Sequence, residues 1–314
     1  MVAIRRGGAV REQRGDIANR SWDNSKVPAR AGFESPELSM LAVNGLELAV
    51  WEWPGADPPL LFAHATGFHG RCWDQIIRML RGRRALAVDF RGHGRSNKPD
   101  PPYHWPAFGQ DLAAIAVRLG LRHTVAIGHS MGGHSIVYTA GLLPECFAAL
   151  ILIDPTILRP ELYRQAPFDA SFIRRRRAVW QSPDEMFERF RSRRPFASWR
   201  PEVLRDYCQY GLLPNGSEFI LACPPAVEAS IYEHSTAPDS DLYTLIPGIR
   251  QPVTVIRAGT LQRPGVLDLA ASPTAPDLAA KFPNAHDTVL TEHSHYIPME
   301  CPELVAEAIG GAVI

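Results

Sequence analysis

The sequence predicts an α/β protein: a mostly parallel sheet with helices on both faces and an inserted helical cap. Three observations carry this. Short apolar runs bounded by turn signals alternate with stretches of helical length and period, the order that builds a parallel sheet covered on both sides. One run, Thr124-Val125-Ala126-Ile127, leads through Gly128-His129-Ser130-Met131-Gly132 into a helix-like stretch. From 156 to about 245 the alternation stops, and the text is rich in Arg, Pro and aromatics with no convincing strand.

The elements follow in order. Leu38 to Val43 and Leu46 to Trp53 flank Asn44-Gly45, a strong hairpin signal. Pro59 to Ala63 reads as a short buried strand. Trp73 to Leu80 reads as a helix with Trp73, Ile76, Ile77 and Leu80 at core spacing. Ala85 to Val88 is a strand, Ala107 to Leu119 a helix, and Ser135 to Leu143 a helix that stops before Pro144. Ala149 to Ile153, Pro252 to Arg257 and Thr288 to Leu290 read as the remaining strands, and Glu303 to Ile309 as the last helix. Within the insertion, helical pieces are expected at Phe168 to Trp180, Pro183 to Arg191 and Pro201 to Tyr210. The organisation expected is a tail over 1–34, a first core part over 35–155, the cap over 156–245 and a second core part over 246–314.

Composition narrows the function. Hydrophobic residues make up 46% and charged residues 21%, and the formal net charge is zero, so neither nucleic acid nor an anionic membrane is favoured as a partner. The basic residues are nearly all arginine, since Lys26, Lys98 and Lys281 are the only lysines. Cys72, Cys146, Cys208, Cys223 and Cys301 are odd in number and widely spaced, without a C-x-x-C pair. That argues against a disulfide framework or a zinc site and suits a reducing compartment. No apolar stretch of about 18 residues occurs, so no membrane insertion is expected and the chain reads as cytoplasmic. The first 30 residues carry seven basic and three acidic side chains with little apolar periodicity, which reads as a tail.

Gly128-His129-Ser130-Met131-Gly132 fits the G-x-S-x-G nucleophile elbow. A serine thrust out on a sharp strand-to-helix turn needs strained backbone angles, and neighbours without a Cβ so that strand and helix can approach. A second signal, His295-Tyr296-Ile297-Pro298-Met299-Glu300-Cys301-Pro302, lies between the last strand and the last helix. This His-aromatic-x-Pro-x-Glu-x-Pro text resembles the catalytic-histidine loop of the α/β-hydrolase superfamily. The resemblance extends to Val88-Asp89-Phe90-Arg91-Gly92-His93-Gly94-Arg95-Ser96, similar to the family's D-x-R-G-x-G-x-S turn. It also covers His64-Ala65-Thr66-Gly67, where Ala65 stands for the usual Gly. The four motifs run in the family's order from about residue 38 to the C-terminus.

The resemblance implies a serine hydrolase with Ser130 as nucleophile and His295 as base. His293, two residues upstream, is the rival. It implies an oxyanion hole from the N–H groups of Thr66 and Met131, and an architectural role for Asp89, Arg91 and His93. His64 is expected to hydrogen-bond within its loop. The third member of the triad departs from the pattern: Ala258-Gly259-Thr260-Leu261-Gln262 carries no carboxylate where the family usually places one. Asp154, at the end of the Ile151–Ile153 strand, and Asp268 both preserve the chain order Ser, acid, His. Asp154 is favoured, because some members carry their acid there. Asp239 and Asp241 read as loop residues.

The cap aromatics Phe172, Trp180, Phe187, Phe190, Trp199, Tyr207, Tyr210 and Tyr232 are expected to form the cap's own core, with some facing the serine. The run Arg174 to Arg177 reads either as a solvated face or as a source of one guanidinium for a substrate carboxylate. The expected function is hydrolysis of a small-molecule substrate, an apolar carboxylic ester, with medium or bulky groups preferred over acetate. No cofactor and no metal are implied. Carbon–carbon bond hydrolases and lactonases share the triad, as do smaller-lidded perhydrolases, and a non-catalytic ligand receptor on the same fold is the alternative from another class.

Overall fold

The structure, a computed structural model, describes residues 35–80, 82–260 and 268–312. The expected tail, 1–34, lies outside the described residues. Strands β1 (Glu37–Val43) and β2 (Leu46–Trp53) form an antiparallel hairpin. Its corner residues, Asn44 and Gly45, have φ of 49° and 75°, as a two-residue type I′ turn requires. The chain continues through β3 (Ala56–Ala63), α1 (Asp74–Met79), β4 (Arg83–Val88), α2 (Trp105–Arg118), β5 (Thr124–His129), α3 (Met131–Leu142) and β6 (Phe147–Ile153).

The insertion follows, with α4 (Ser171–Arg174), β7 (Val179–Trp180), α5 (Pro183–Phe190), α6 (Pro201–Tyr210), β8 (Leu212–Asn215), β9 (Glu218–Leu221) and α7 (Pro225–Glu233). The chain then returns to the sheet with β10 (Val253–Ala258) and β11 (Ala285–Leu290). It ends in α8 (Ile297–Glu300) and α9 (Pro302–Ala312). Among the described residues no helix is long and apolar enough to cross a membrane.

The large sheet has the order β1-β2-β4-β3-β5-β6-β10-β11; β2 pairs antiparallel with both β1 and β4, and every pairing from β4 onward is parallel. Every residue of β5 is buried and only Ala148 of β6 is exposed. This is why these strands read as continuous apolar runs: helices cover both faces. On α2, Trp105, Phe108, Leu112 and Ile115 are buried at helical spacing, and they share one core with Ile136, Val137 and Ala140 of α3. Each large side chain buried there contributes roughly 1.5–3 kcal/mol.

The topology positions a site. From β3 the chain steps to β4 on one side of the sheet, then crosses to β5 on the other. A crevice opens at the carboxyl ends of the strands where the order reverses in this way. The loop after β3 and the turn from β5 to α3 both lie there. The turn is tight. A Cβ on Gly132 would collide with the Ala63 carbonyl, and one on Gly128 would lie 2.6 Å from the Gly133 nitrogen. Helix α3 begins at Met131, earlier than Ser135, because the low helix propensity of Gly132-Gly133 hides its first turn in the sequence.

The insertion corrects the expectation of an all-helical cap. β7, β9 and β8 form a three-stranded antiparallel sheet. These strands span only 2 to 4 residues, too short to print an alternating pattern, and β8 contains Pro214. The available signal was Asn215-Gly216, with Gly216 at φ 65°. The helix expected over Phe168 to Trp180 shrinks to the single turn α4, because Val179 and Trp180 pair with β9. Helices α5 and α6 form where expected. Ser182 caps α5, its Oγ accepting from the Glu185 N–H at 3.0 Å. Helix α7, which the sequence reading did not include, opens with Pro225 in its first turn.

Candidate active site

Ser130 follows β5 with φ 56° and ψ −118°. A residue with a Cβ in such a region costs about 1–3 kcal/mol and persists only where its surroundings hold it. Here the parallel ladder holds it. Its N–H donates to the Ile153 carbonyl at 3.1 Å, and its carbonyl accepts from the Thr156 N–H at 3.0 Å and the His134 N–H at 3.2 Å. His129 pairs in register with Ile153, so the next residue on each strand, Ser130 and Asp154, ends adjacent strands side by side. Asp154 also has a positive φ, 42°, and its N–H continues the ladder to the Ile256 carbonyl at 2.6 Å.

His295 lies between these two. Its Nε2 is 2.9 Å from Ser130 Oγ and its Nδ1 is 2.7 Å from Asp154 Oδ2. The other oxygen of Asp154 accepts from Ser272 Oγ at 2.5 Å, from the Ala258 N–H at 3.1 Å and from Thr274 Oγ1 at 3.2 Å. Ala258, the last residue of β10, thus serves Asp154 as a donor. The neighbouring Gly259 has no room for a side chain, since a Cβ would lie 2.7 Å from Thr291 Cα.

The alternatives lie elsewhere. Asp268 is exposed at the rim of the cleft over Ser130, and its Oδ1 accepts from the Ala270 N–H of its own turn at 3.0 Å. His293 faces Glu300 at 3.4 Å. Glu300 in turn accepts from the Ser294 N–H and from the hydroxyls of Ser294 and Ser198.

Three buried histidines tie loops together. His64 donates from Nδ1 to the Ala65 carbonyl at 2.8 Å and accepts the Phe90 N–H on Nε2 at 3.1 Å. Burial lowers it to about 4. His93 accepts the Gly67 N–H on Nε2 at 3.0 Å, donates from Nδ1 to the Arg91 carbonyl, and is pushed by burial well below its usual range. His129 donates from Nε2 to the His295 carbonyl at 2.8 Å and is likewise held neutral by burial, with the adjacent His295 adding to the effect. A buried imidazole loses its charged form to desolvation, so these three serve as fixed donors and acceptors. Asp89 accepts from the N–H groups of Gly70 and Arg95 and from Trp51 Nε1. Arg91 forms a two-pronged pair with Asp111 at 2.6 Å.

Thr66 and Met131 are in contact, Thr66 Oγ1 lying 3.5 Å from Met131 Sδ. Neither backbone N–H is hydrogen-bonded to another described residue.

The cleft over Ser130 and His295 is lined by Trp105, Thr156, Leu158, Phe168, Tyr232, Asp268 and Leu269 among others. Most cap aromatics pack on one another: Phe190 stacks on Phe196 with ring centres 4.2 Å apart, and Trp199 packs against Phe68, Phe196, Tyr207 and Tyr296. Of the aromatics singled out in the sequence, Tyr232 reaches the cleft. In the arginine run Arg174, Arg175 and Arg177 are exposed, as a solvated face would be, and none of the four is among the described residues that line the cleft. Arg174 pairs with Glu233, Arg177 with Glu185, and Arg176 with the buried Glu228. Sequence reasoning did not find Thr156, Ser272, Thr274 or the loop ties of His93 and His129. Isolated hydroxyls and histidines carry no spacing that reveals a contact 26 to 166 positions away.

A model of the "Alpha/beta hydrolase family" matches residues 60–308. The 2-(acetamidomethylene)succinate hydrolase of Mesorhizobium japonicum is 25% identical over 262 residues, covering 81% of this chain and 87% of that protein. An esterase of Mycobacterium tuberculosis is 30% identical over 128 residues, which covers 40% of this chain and 43% of that esterase's own length. In structure, a crystallised E-2-(acetamidomethylene)succinate hydrolase superposes with a TM-score of 0.73 at 21% identity, over 88% of this chain and 99% of that one.

Proposed function

The chain belongs to the alpha/beta hydrolase family and is a serine hydrolase, and we propose that it cleaves a small apolar carboxylic ester through an acyl-enzyme on Ser130. The observation that carries this reading is the relay from Ser130 Oγ through His295 to Asp154, with links of 2.9 and 2.7 Å. A serine hydroxyl is a weak nucleophile until an adjacent imidazole takes its proton. In the proposed reaction Oγ bonds to the carbonyl carbon while its proton passes to His295 Nε2. The N–H groups of Thr66 and Met131, not bonded to any other described residue, hold the oxyanion. His295 then protonates the departing alcohol. Water reverses the sequence, giving its proton to His295 and its oxygen to the acyl carbon, and the acid and the free serine are released.

Asp154 orients the imidazole and stabilises the imidazolium. Asp154→Asn is expected to lower kcat roughly 10⁴-fold, and Asp268→Asn less than about threefold, both measured at matched thermal stability. A large loss at 268 with little at 154 would move the acid to the rim of the cleft.

The cleft supports an apolar substrate of limited size. Its free volume is about 30 Å³, room for only a few waters at roughly 10–15 Å³ each. This narrows the expectation of bulky groups. At about 0.8 kcal/mol per buried methylene, kcat/KM for p-nitrophenyl esters should rise about fourfold per carbon from acetate to butyrate, then fall at octanoate. A flat series would argue against an apolar acyl site. A 2-(acetamidomethylene)succinate-like substrate carries carboxylates, and among the described residues the lining of this cleft offers Asp268 and no lysine or arginine. Labelling of Ser130 by a fluorophosphonate probe separates the enzyme from a ligand receptor with an idle serine.

A further inference from the structure

We propose that Thr156 is a further catalytic residue, its hydroxyl donating a hydrogen bond to the nucleophilic oxygen of Ser130 and stabilising charge on that oxygen during both halves of the reaction. The proposal rests on the reading of Ser130 above. Thr156 Oγ1 lies 3.0 Å from Ser130 Oγ. The direction of this bond follows from counting protons. In the resting relay His295 keeps its proton on Nδ1 and donates it as a hydrogen bond to Asp154, which leaves Nε2 as an acceptor. Ser130 has one hydroxyl proton, and it goes to Nε2. Ser130 Oγ then offers only lone pairs to Thr156, so Thr156 is the donor.

The hydroxyl is held in place by backbone. The Thr156 N–H donates to the Ser130 carbonyl at 3.0 Å, so the two residues are bound to each other twice, once through main chain and once through side chain. Pro155 packs against Gly133, where a Cβ would lie 2.7 Å from the proline ring, and the Pro155 carbonyl accepts from Thr274 Oγ1 at 2.7 Å. The residue after Thr156 is fixed as well, the Ile157 carbonyl accepting from the Ala275 N–H at 2.9 Å. Thr156 also lines the cleft beside His295.

The chemistry needs a donor at this point. During acylation Oγ passes its proton to His295 Nε2 as its electron pair forms the bond to the carbonyl carbon. During deacylation that bond breaks, the pair returns to Oγ, and Oγ receives from His295 Nε2 the proton that the imidazole has taken from water. In each transition state Oγ carries partial negative charge, and hydrogen bonds to charged acceptors are stronger than those to neutral ones. Such a bond therefore favours the transition states over the resting hydroxyl, which is the condition for acceleration.

The test compares Thr156→Val, which keeps the shape and the backbone N–H, with Thr156→Ser, which keeps the hydroxyl. Thr156→Val should lower both kcat for p-nitrophenyl butyrate and the rate of fluorophosphonate labelling about tenfold, with KM and Tm little changed. Thr156→Ser should restore most of both rates. Two outcomes overturn the proposal while leaving the Ser130 reading intact: wild-type rates in Thr156→Val, or a loss that tracks a lowered Tm and is not restored by serine. Failure of the unaltered protein to label or turn over would instead remove the Ser130 reading, and this proposal with it.

Discussion

Ser130→Ala is expected to lower kcat about 10⁶-fold, the scale of loss when a serine nucleophile is removed from a triad. The fold should persist. Alanine keeps the Cβ, and the hydrogen bonds that hold position 130 are made by its N–H and carbonyl, to Ile153, His134 and Thr156. The strained φ of 56° is therefore retained and Tm should change little. The measurement is turnover of p-nitrophenyl butyrate beside the melting curve, with loss of fluorophosphonate labelling as a second readout. Near-normal turnover by a folded Ser130→Ala protein would end the reading of Ser130 as nucleophile.

His295→Ala should be about as damaging as loss of the serine, because nucleophile and base act as a unit. His293→Ala should cost less than about tenfold, since His293 faces Glu300. The contrast is informative because the two histidines are near neighbours on one loop, so a general loosening of that loop would affect both variants alike. A ranking with His293→Ala as the more damaging change would overturn the assignment of the base. Combining Ser130→Ala with His295→Ala should add almost nothing to either single loss.

How far the molecule was legible in its sequence depends on the range of the contacts. The parallel sheet was legible because strands buried on both faces must be written as apolar runs, and β5 and β6 are. The turn at Ser130 was legible because strand, glycines and helix are consecutive. His295 was legible through the resemblance of its loop to a family pattern. Asp154 and Asp268 stayed open as alternatives because the choice turns on Ser272, Thr274 and Ala258, all more than a hundred positions from Asp154, whose donor groups converge through tertiary folding. The small sheet of the cap was missed for a different reason: strands of 2 to 4 residues are held by β9 pairing on both sides and not by a pattern of their own. The arginine run could not be read either, because its carboxylate partners lie on α5 and α7 and nothing near the run announces them.

The side-by-side placement of Ser130 and Asp154 at the ends of β5 and β6 has a mechanical consequence. Their separation is gauged by the spacing of hydrogen-bonded strands, about 4.8 Å, which varies less than any loop length in a protein. The segment after β10 is thereby released from carrying the acid itself and keeps the supporting donors Ser272 and Thr274. Substitutions at Phe168, Tyr232 or Leu269 would retune which molecules enter while the distance between the two ends of the relay stays constant. The span of the relay is thus set by the sheet, while Phe168, Tyr232 and Leu269 of the cleft lining lie outside it.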